Sequence, residues 1–268
     1  MLKVGIVGCG AIGGALARAI DDDIPQAELV AVFDRDGQKA ARLASSLKKA
    51  PKILSTNELI KVSDLVIEAA SKDIAATLLR RVVEKGKDCM VMSTGGLISE
   101  VDIFNLARAK GCKVYLPSGA LVGIDGVKSA SCSKIYSVTL ITSKSPKALE
   151  GAPYILKKHI DLDSISKETV IFEGSAAEAV AGFPANINVA ATLSLASLGP
   201  KRVKVRIVVD PHLKNSNVHE IRVEGEFGRL FARTESLSSP DNPRTSCLAV
   251  LSAIATLKHI CSPLKIGT

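Results

Sequence analysis

The sequence predicts an α/β fold: an N-terminal doubly wound parallel sheet, then a C-terminal α+β domain on a mixed or antiparallel sheet. Three observations carry this. Short apolar runs alternate with helix-length amphipathic stretches up to about residue 120. A glycine-rich turn joins the first run to the first helix. Beyond residue 120 the rhythm gives way to segments that alternate apolar and polar with period two.

Leu2 to Val7 reads as a buried strand and leads into Gly8-Cys9-Gly10-Ala11-Ile12-Gly13, then an Ala/Leu-rich helix. This is G-x-G-x-x-G between a strand and a helix. Gly8 permits the tight bend, Gly10 lets backbone approach a pyrophosphate, and Gly13 lets helix pack closely on strand. Ala11 and Ile12 open the helix, whose unpaired N–H groups and positive dipole end attract phosphate. A second strand, Leu29 to Phe33, ends in Asp34, about 20 residues past the glycines, where a carboxylate can accept ribose hydroxyls. Together these predict a Rossmann-type site for NAD or NADP. Asp34 favours NAD by repelling the extra 2′-phosphate of NADP, whereas its neighbour Arg35 offers that phosphate a partner. The preference stays open.

The alternation continues with a helix over Gln38 to Lys49 and a strand over Asp64 to Glu68, ending in Ala69, Ala70 and Ser71. Asp73 to Lys85 is helical and stops at Gly86; Cys89 to Met92 is a strand ending in Ser93-Thr94-Gly95-Gly96. A helix over Glu100 to Lys110 ends at Gly111, and the strand Lys113 to Leu116 leads to Pro117-Ser118-Gly119-Ala120. Ligands of doubly wound sheets lie beyond the carboxyl ends of the strands. These small-residue tips, Ala69 and Ala120 among them, are therefore expected to line the nicotinamide half of the site.

In the second half, Leu121 to Ala130 is glycine-rich and Ile135 to Thr142 alternates like a half-exposed strand. Thr169 to Glu173 is another strand; Ser175 caps a short helix that Gly182-Phe183-Pro184 breaks. Asn186 to Ser197 forms an almost uncharged helix, which implies burial. Val203 to Asp210, Val218 to Glu224 and Arg229 to Glu235 read as antiparallel strands. A final helix is expected from about Arg244 to His259, capped by Asn242 with Pro243 at its first position. The expected domains are 1–120, joined by the C-terminal helix within 241–268, and 121–240.

Composition narrows the function. The chain has 268 residues, 47% hydrophobic and 23% charged, as in ordinary soluble proteins. Aromatics make up 3% and tryptophan is absent, which argues against stacking platforms for single-stranded nucleic acid. The net charge of +8 comes from scattered basic residues, which suits anionic small molecules better than a nucleic-acid groove. The six cysteines show no C-x-x-C spacing, so neither a zinc site nor a disulfide framework is expected. No apolar stretch approaches the roughly 20 residues of a membrane span. The first strand begins almost at Met1, so no signal peptide is expected, and a cytoplasmic location follows.

A hydride-transfer enzyme needs an acid/base or charge-stabilising group, and there are four histidines. His159 sits at a basic helix end, His259 in the last helical turn, and His212 in a loop after Asp210-Pro211. His219 opens His219-Glu220-Ile221-Arg222-Val223 and shares a face with Ile221 and Val223. That face belongs either to a hydrogen-bonded core or to a cleft, and spacing leaves both open.

The chain resembles the L-aspartate dehydrogenase family nearly end to end. The likeness rests on VGIVGCGAIGGALARAI, STGGL at 93–97, LPSGALVGIDGVKSA at 116–130, FPANINVAATLSLASLG at 183–199, NSNVHEIRVEGEFG at 215–228 and SPDNPRTSCLAVLSAIATLK at 239–258. The resemblance implies that His219 is the active-site histidine. It implies nicotinamide-side contacts from Ala120 and Asn188, with Asn186 nearby. It further implies a C-terminal domain that forms a homodimer interface. The implied reaction is oxidation of L-aspartate by NAD(P)+ to iminoaspartate, which serves NAD (pyridine nucleotide) biosynthesis together with quinolinate synthase. Two substrate carboxylates need cationic or N–H partners, for which Lys201, Arg233 and Arg244 are candidates. The alternatives are a dihydrodipicolinate-reductase-like or homoserine-dehydrogenase-like oxidoreductase, or a non-catalytic NAD(P)-sensing module.

Overall fold

The computed structural model describes residues 1–184, 188–239 and 242–268, with residues 101 and 242–244 described by their backbone alone. The chain divides into two compact units: residues 1–117 with 250–265, and residues 118–249 with 266–268. Against the expected 1–120 with the C-terminal helix 241–268, the first unit stops three residues earlier at Pro117 and takes up the chain again nine residues later, at Val250.

The first unit runs β1 (Leu2–Val7), α1 (Ala11–Asp23), β2 (Ala27–Phe33), α2 (Gly37–Ser45), β3 (Lys52–Ile53), α3 (Thr56–Val62), β4 (Leu65–Glu68), α4 (Lys72–Glu84), β5 (Asp88–Val91), α5 (Val101–Lys110) and β6 (Val114–Tyr115). A 3-10 turn at Thr94–Leu97 separates β5 from α5. All strands are parallel in the order β3-β2-β1-β4-β5-β6, the doubly wound order whose direction of winding reverses between β1 and β4. Strands flanked by helices on both faces must be apolar throughout, which is why Val4 to Val7 and Leu65 to Ile67 are consecutively buried. The sequence reading passed over β3 and α3, although Ser55 and Glu58 form a reciprocal capping box at the start of α3.

The second unit runs α6 (Ile124–Ala130), β7 (Ile135–Lys144), α7 (Pro146–Leu149), α8 (Pro153–Lys158), β8 (Thr169–Ser175), α9 (Ala176–Gly182), α10 (Asn188–Leu195), β9 (Lys204–Val209), β10 (Ser216–Gly225), β11 (Gly228–Ser239) and β12 (Asn242–Ser246). Its sheet is ordered β12-β11-β10-β7-β9-β8. Here the expectation of consecutive antiparallel strands is corrected. β9 pairs parallel with β7, and β7 separates it from β10. The connection from β7 to β9 runs through α7, α8, β8, α9 and α10, the long crossover that parallel pairing needs and a tight hairpin cannot supply.

A second correction concerns residues 242–246. They form β12 against β11, not the first turn of a helix. The helix that follows, α11 (Cys247–Cys261), is capped by Ser246, whose hydroxyl accepts from the Leu248 N–H at 3.1 Å. Pairing with β11 wins because the serines of both strands also bond side to side, Ser236 with Ser246. Residues 250–265 belong to the first unit, where Ala253 and Leu257 join the core of Val4, Ile6, Leu16 and Ile67.

One face of the second sheet carries Leu140 and Thr142 of β7, Val205 and Ile207 of β9, and His219, Ile221 and Val223 of β10. Phe183, wholly buried, packs there within an aromatic group with Tyr154 and Phe172. The other face exposes Phe231 and Leu237 of β11.

Candidate active site

At the carboxyl end of β1 the chain turns through Gly8 at φ +103°, a conformation that side chains rarely adopt. A Cβ on Gly8 would lie 2.5 Å from the Ala69 carbonyl group, and one on Gly13 would collide with the Gly8 carbonyl oxygen. Gly8 and Gly13 are thus glycines because backbone passes against backbone. Gly10 differs: a Cβ there would meet nothing within 4 Å, so its side faces open space. Gly10 is the N-cap of α1 and provides no side-chain cap, so Ala11, Ile12 and Gly13 open the helix without a protein acceptor from that position. A pyrophosphate fits this cradle: the space is kept clear, and the helix end is positively polarised.

Asp34 follows β2 and is held from both sides. Its Oδ2 accepts from the Cys9 N–H at 2.7 Å and its Oδ1 from the Asp36 N–H at 2.8 Å. The carboxylate is therefore anchored to the glycine turn itself, where an adenosine ribose would be met. Arg35 is exposed beside it. Cys9 is not a nucleophile here: burial, and then the Asp34 charge, push its thiol up to about 11.

Glu68 is the residue that the sequence reading missed. It closes β4 fully buried, and its carboxylate accepts from the Ala70 N–H at 2.8 Å and from the Ser93 N–H and hydroxyl, each at 2.9 Å. Burial raises its pKa, and the bonds from Ser93 and Ala70 pull it back. It ties the tips of β4 and β5 together beside Ala69. The only hint in the sequence is a charge ending an otherwise apolar run, DLVIE.

In the second unit, His219 faces Thr142 of β7 on one side and Thr234 of β11 on the other. The imidazole is 4% exposed, and its Nδ1 lies 3.2 Å from the Thr142 hydroxyl. Thr234 donates to the Ala120 carbonyl at 3.0 Å, so the structure brings Ala120 to the strand next to His219. Lys144, two residues beyond Thr142 on the same face, is also buried. Burial, and then the Lys144 charge, push His219 down to about 3, so the ring is neutral at physiological pH. Burial pushes Lys144 down to about 8. The sequence signal for Lys144 is a lysine at an inward position of the alternating run of β7.

The remaining expectations separate. His159, His212 and His259 are exposed. Asn188 is the exposed first residue of α10. Lys201 is exposed in the turn after α10. Arg233 is exposed and alternates with Thr234 on β11, so it sits on the face of the sheet opposite His219. Asn186 lies outside the described residues, as does the side chain of Arg244. Among the described residues no cluster of His, Cys, Asp or Glu has metal-binding geometry.

Comparison with known proteins adds the following. Residues 125–260 match the family model described as aspartate dehydrogenase, C-terminal, and residues 8–117 match that described as homoserine dehydrogenase, NAD binding domain. An L-aspartate dehydrogenase of Methanosarcina barkeri is 52% identical over the whole of both chains. One from Nitrosopumilus maritimus is 40% identical, again over the whole of both. Among solved structures, aspartate dehydrogenase from Thermotoga maritima superposes with a TM-score of 0.75 at 26% identity, covering both chains completely. A homoserine dehydrogenase from Thiobacillus denitrificans shares the fold at 15% identity and a TM-score of 0.63, over 97% of this chain and 73% of its own.

Proposed function

The chain belongs to the aspartate dehydrogenase family, and from that premise we propose that it oxidises L-aspartate with NAD+ or NADP+ to iminoaspartate. In water the free imine hydrolyses to oxaloacetate and ammonia. The observation that carries this reading is the state of His219: a buried, neutral imidazole whose Nδ1 is engaged by Thr142, which leaves Nε2 for the substrate.

The dinucleotide, when bound, supplies the hydride acceptor. The chain's own residues supply the rest. Gly8, Gly10 and Gly13 with the start of α1 hold the pyrophosphate, and Asp34 holds a ribose. Glu68 braces the strand tips next to Ala69. His219 meets the substrate amine through Nε2. The substrate ammonium first loses one proton to solvent, directly or by way of the His219 ring, because hydride can leave the α-carbon only of the neutral amine; the nitrogen then becomes an iminium, which the neutral ring orients by a hydrogen bond.

On this reading iminoaspartate feeds NAD biosynthesis through quinolinate synthase in the cytoplasm. The working form is a homodimer joined through the second unit, whose exposed Phe231 and Leu237 support that choice.

The test is NADH and NADPH formation with L-aspartate, beside a panel of other L-amino acids and L-homoserine. Turnover confined to aspartate is the expected result, and the NADH/NADPH ratio decides between the influences of Asp34 and Arg35. A protein that binds NAD(P)H yet reduces no cofactor with any of these substrates would be a sensor and not a dehydrogenase.

A further inference from the structure

We propose that Lys144 determines substrate specificity: its ammonium pairs with the side-chain carboxylate of the amino acid while His219 meets the reacting amine. The proposal rests on the dehydrogenase reading above and assigns the partner of one carboxylate within it.

Lys144 ends β7 and is 8% exposed, on the face that also carries Thr142. Its stem lies in a pocket with Leu149, Ala179, Phe183, Ala190 and Val205, none of which is charged. This lining is apolar apart from Lys144 itself and Thr142. Among the described residues, the elements around it bring no counter-charge to Lys144. β10 contributes the neutral His219, β9 contributes Ile207 and Val209, and α9 and α10 contribute alanines. Asp210 follows β9, but its carboxylate is turned to the His212 N–H at 2.9 Å. Among the described residues no ion pair or side-chain hydrogen bond involves Lys144.

A largely buried lysine without an anion is disfavoured, and because no wholly buried side-chain nitrogen among the described residues lacks a partner, the Lys144 ammonium keeps an edge open to a ligand. It is retained where a ligand brings the anion. Two residues of strand, about 6–7 Å, separate Lys144 from the Thr142 position that holds His219. That spacing sets a cation and an amine-directed imidazole at the two ends of a short dicarboxylic amino acid. The two arrivals also differ in chemistry. Carboxylate at Lys144 restores its lost counter-charge, and the amine finds a ring that carries no competing positive charge.

The test compares the wild-type chain with Lys144→Met and Lys144→Arg, using L-aspartate and its uncharged isostere L-asparagine. Succinate binding by calorimetry, with and without NAD+, gives a readout independent of turnover. Lys144→Met is expected to raise KM for aspartate and weaken succinate binding ~10²-fold or more, the range for truncating one member of a buried charge pair. The preference for aspartate over asparagine should collapse, and Lys144→Arg should recover part of the succinate affinity. Unchanged succinate binding in a folded Lys144→Met protein overturns the proposal. So does an equal loss for aspartate and asparagine, which would assign Lys144 to the α-carboxylate. A fall in kcat alone, with loss of a rate limb near pH 8, would make Lys144 the proton acceptor instead. If the wild-type chain turns over no aspartate, the dehydrogenase reading has failed, and the succinate result still judges Lys144.

Discussion

At the scale of residues, the site is built from side chains whose chemistry is set by what surrounds them. His219 is an ordinary imidazole in sequence; in the structure, burial and the neighbouring Lys144 keep it uncharged. Replacing it by alanine should lower kcat ~10²-fold or more, as expected for losing acid–base help, and leave the affinity for NAD(P)H nearly unchanged. Steady-state rates and fluorescence titration check both halves. Its stability linkage has a definite sign. The unfolded value of 6.5 lies above the folded value of about 3, so the unfolded chain takes up the proton first. The stabilisation is complete above pH 6.5 and is lost as pH falls towards 3. Urea midpoints should fall over that window, and His219→Gln should flatten this part of the fall. Among the four histidines, only the family resemblance points to His219. It did not reveal the partners Thr142 and Lys144, which lie 77 and 75 positions away and meet it only through strand register.

At the scale of elements, boundaries marked by local chemistry were legible and boundaries set by pairing were not. Ser175 begins α9 as expected, in a reciprocal box: its hydroxyl accepts from the Glu178 N–H at 3.2 Å, and the Glu178 carboxylate accepts from the Ser175 N–H at 2.7 Å. Ser175→Ala should lower unfolding stability by ~1 kcal/mol, seen as a fall in Tm of about 2–4 °C in a thermal scan. No change would mean that packing alone holds α9. Gly111 ends α5 in the left-handed region, also as a local signal demands. By contrast, Asn242-Pro243 carries a helix-start signature and yet lies in a strand, because β11 offers it hydrogen-bonding partners. The same holds for β9. Its alternation marks a strand, but alternation says nothing about which neighbour it takes or in which direction.

At the scale of the whole molecule, the residues of the proposed site divide between the two units: the glycine turn and Asp34 in the first, His219 and Lys144 in the second. The proposed homodimer is tested at this scale. Phe231→Glu places a charge on the exposed sheet face and should shift the mass measured by light scattering from dimer towards monomer; the unsubstituted chain running as a monomer would sink the dimer outright. The excess of basic residues suits a protein that gathers dicarboxylate and dinucleotide anions, an effect that weakens with added salt.

The doubly wound first domain, its glycine turn and the acid that follows β2 were legible in the sequence itself. Each of these is written in contiguous residues, because a turn, a cap or an apolar run is decided by near neighbours. Folding alone placed β7 between β9 and β10, tied two strand tips together through Glu68, and set the charge of a buried lysine near His219. Those depend on which distant segments share a face and on how much water they exclude. Register and burial exist only once the chain has closed on itself.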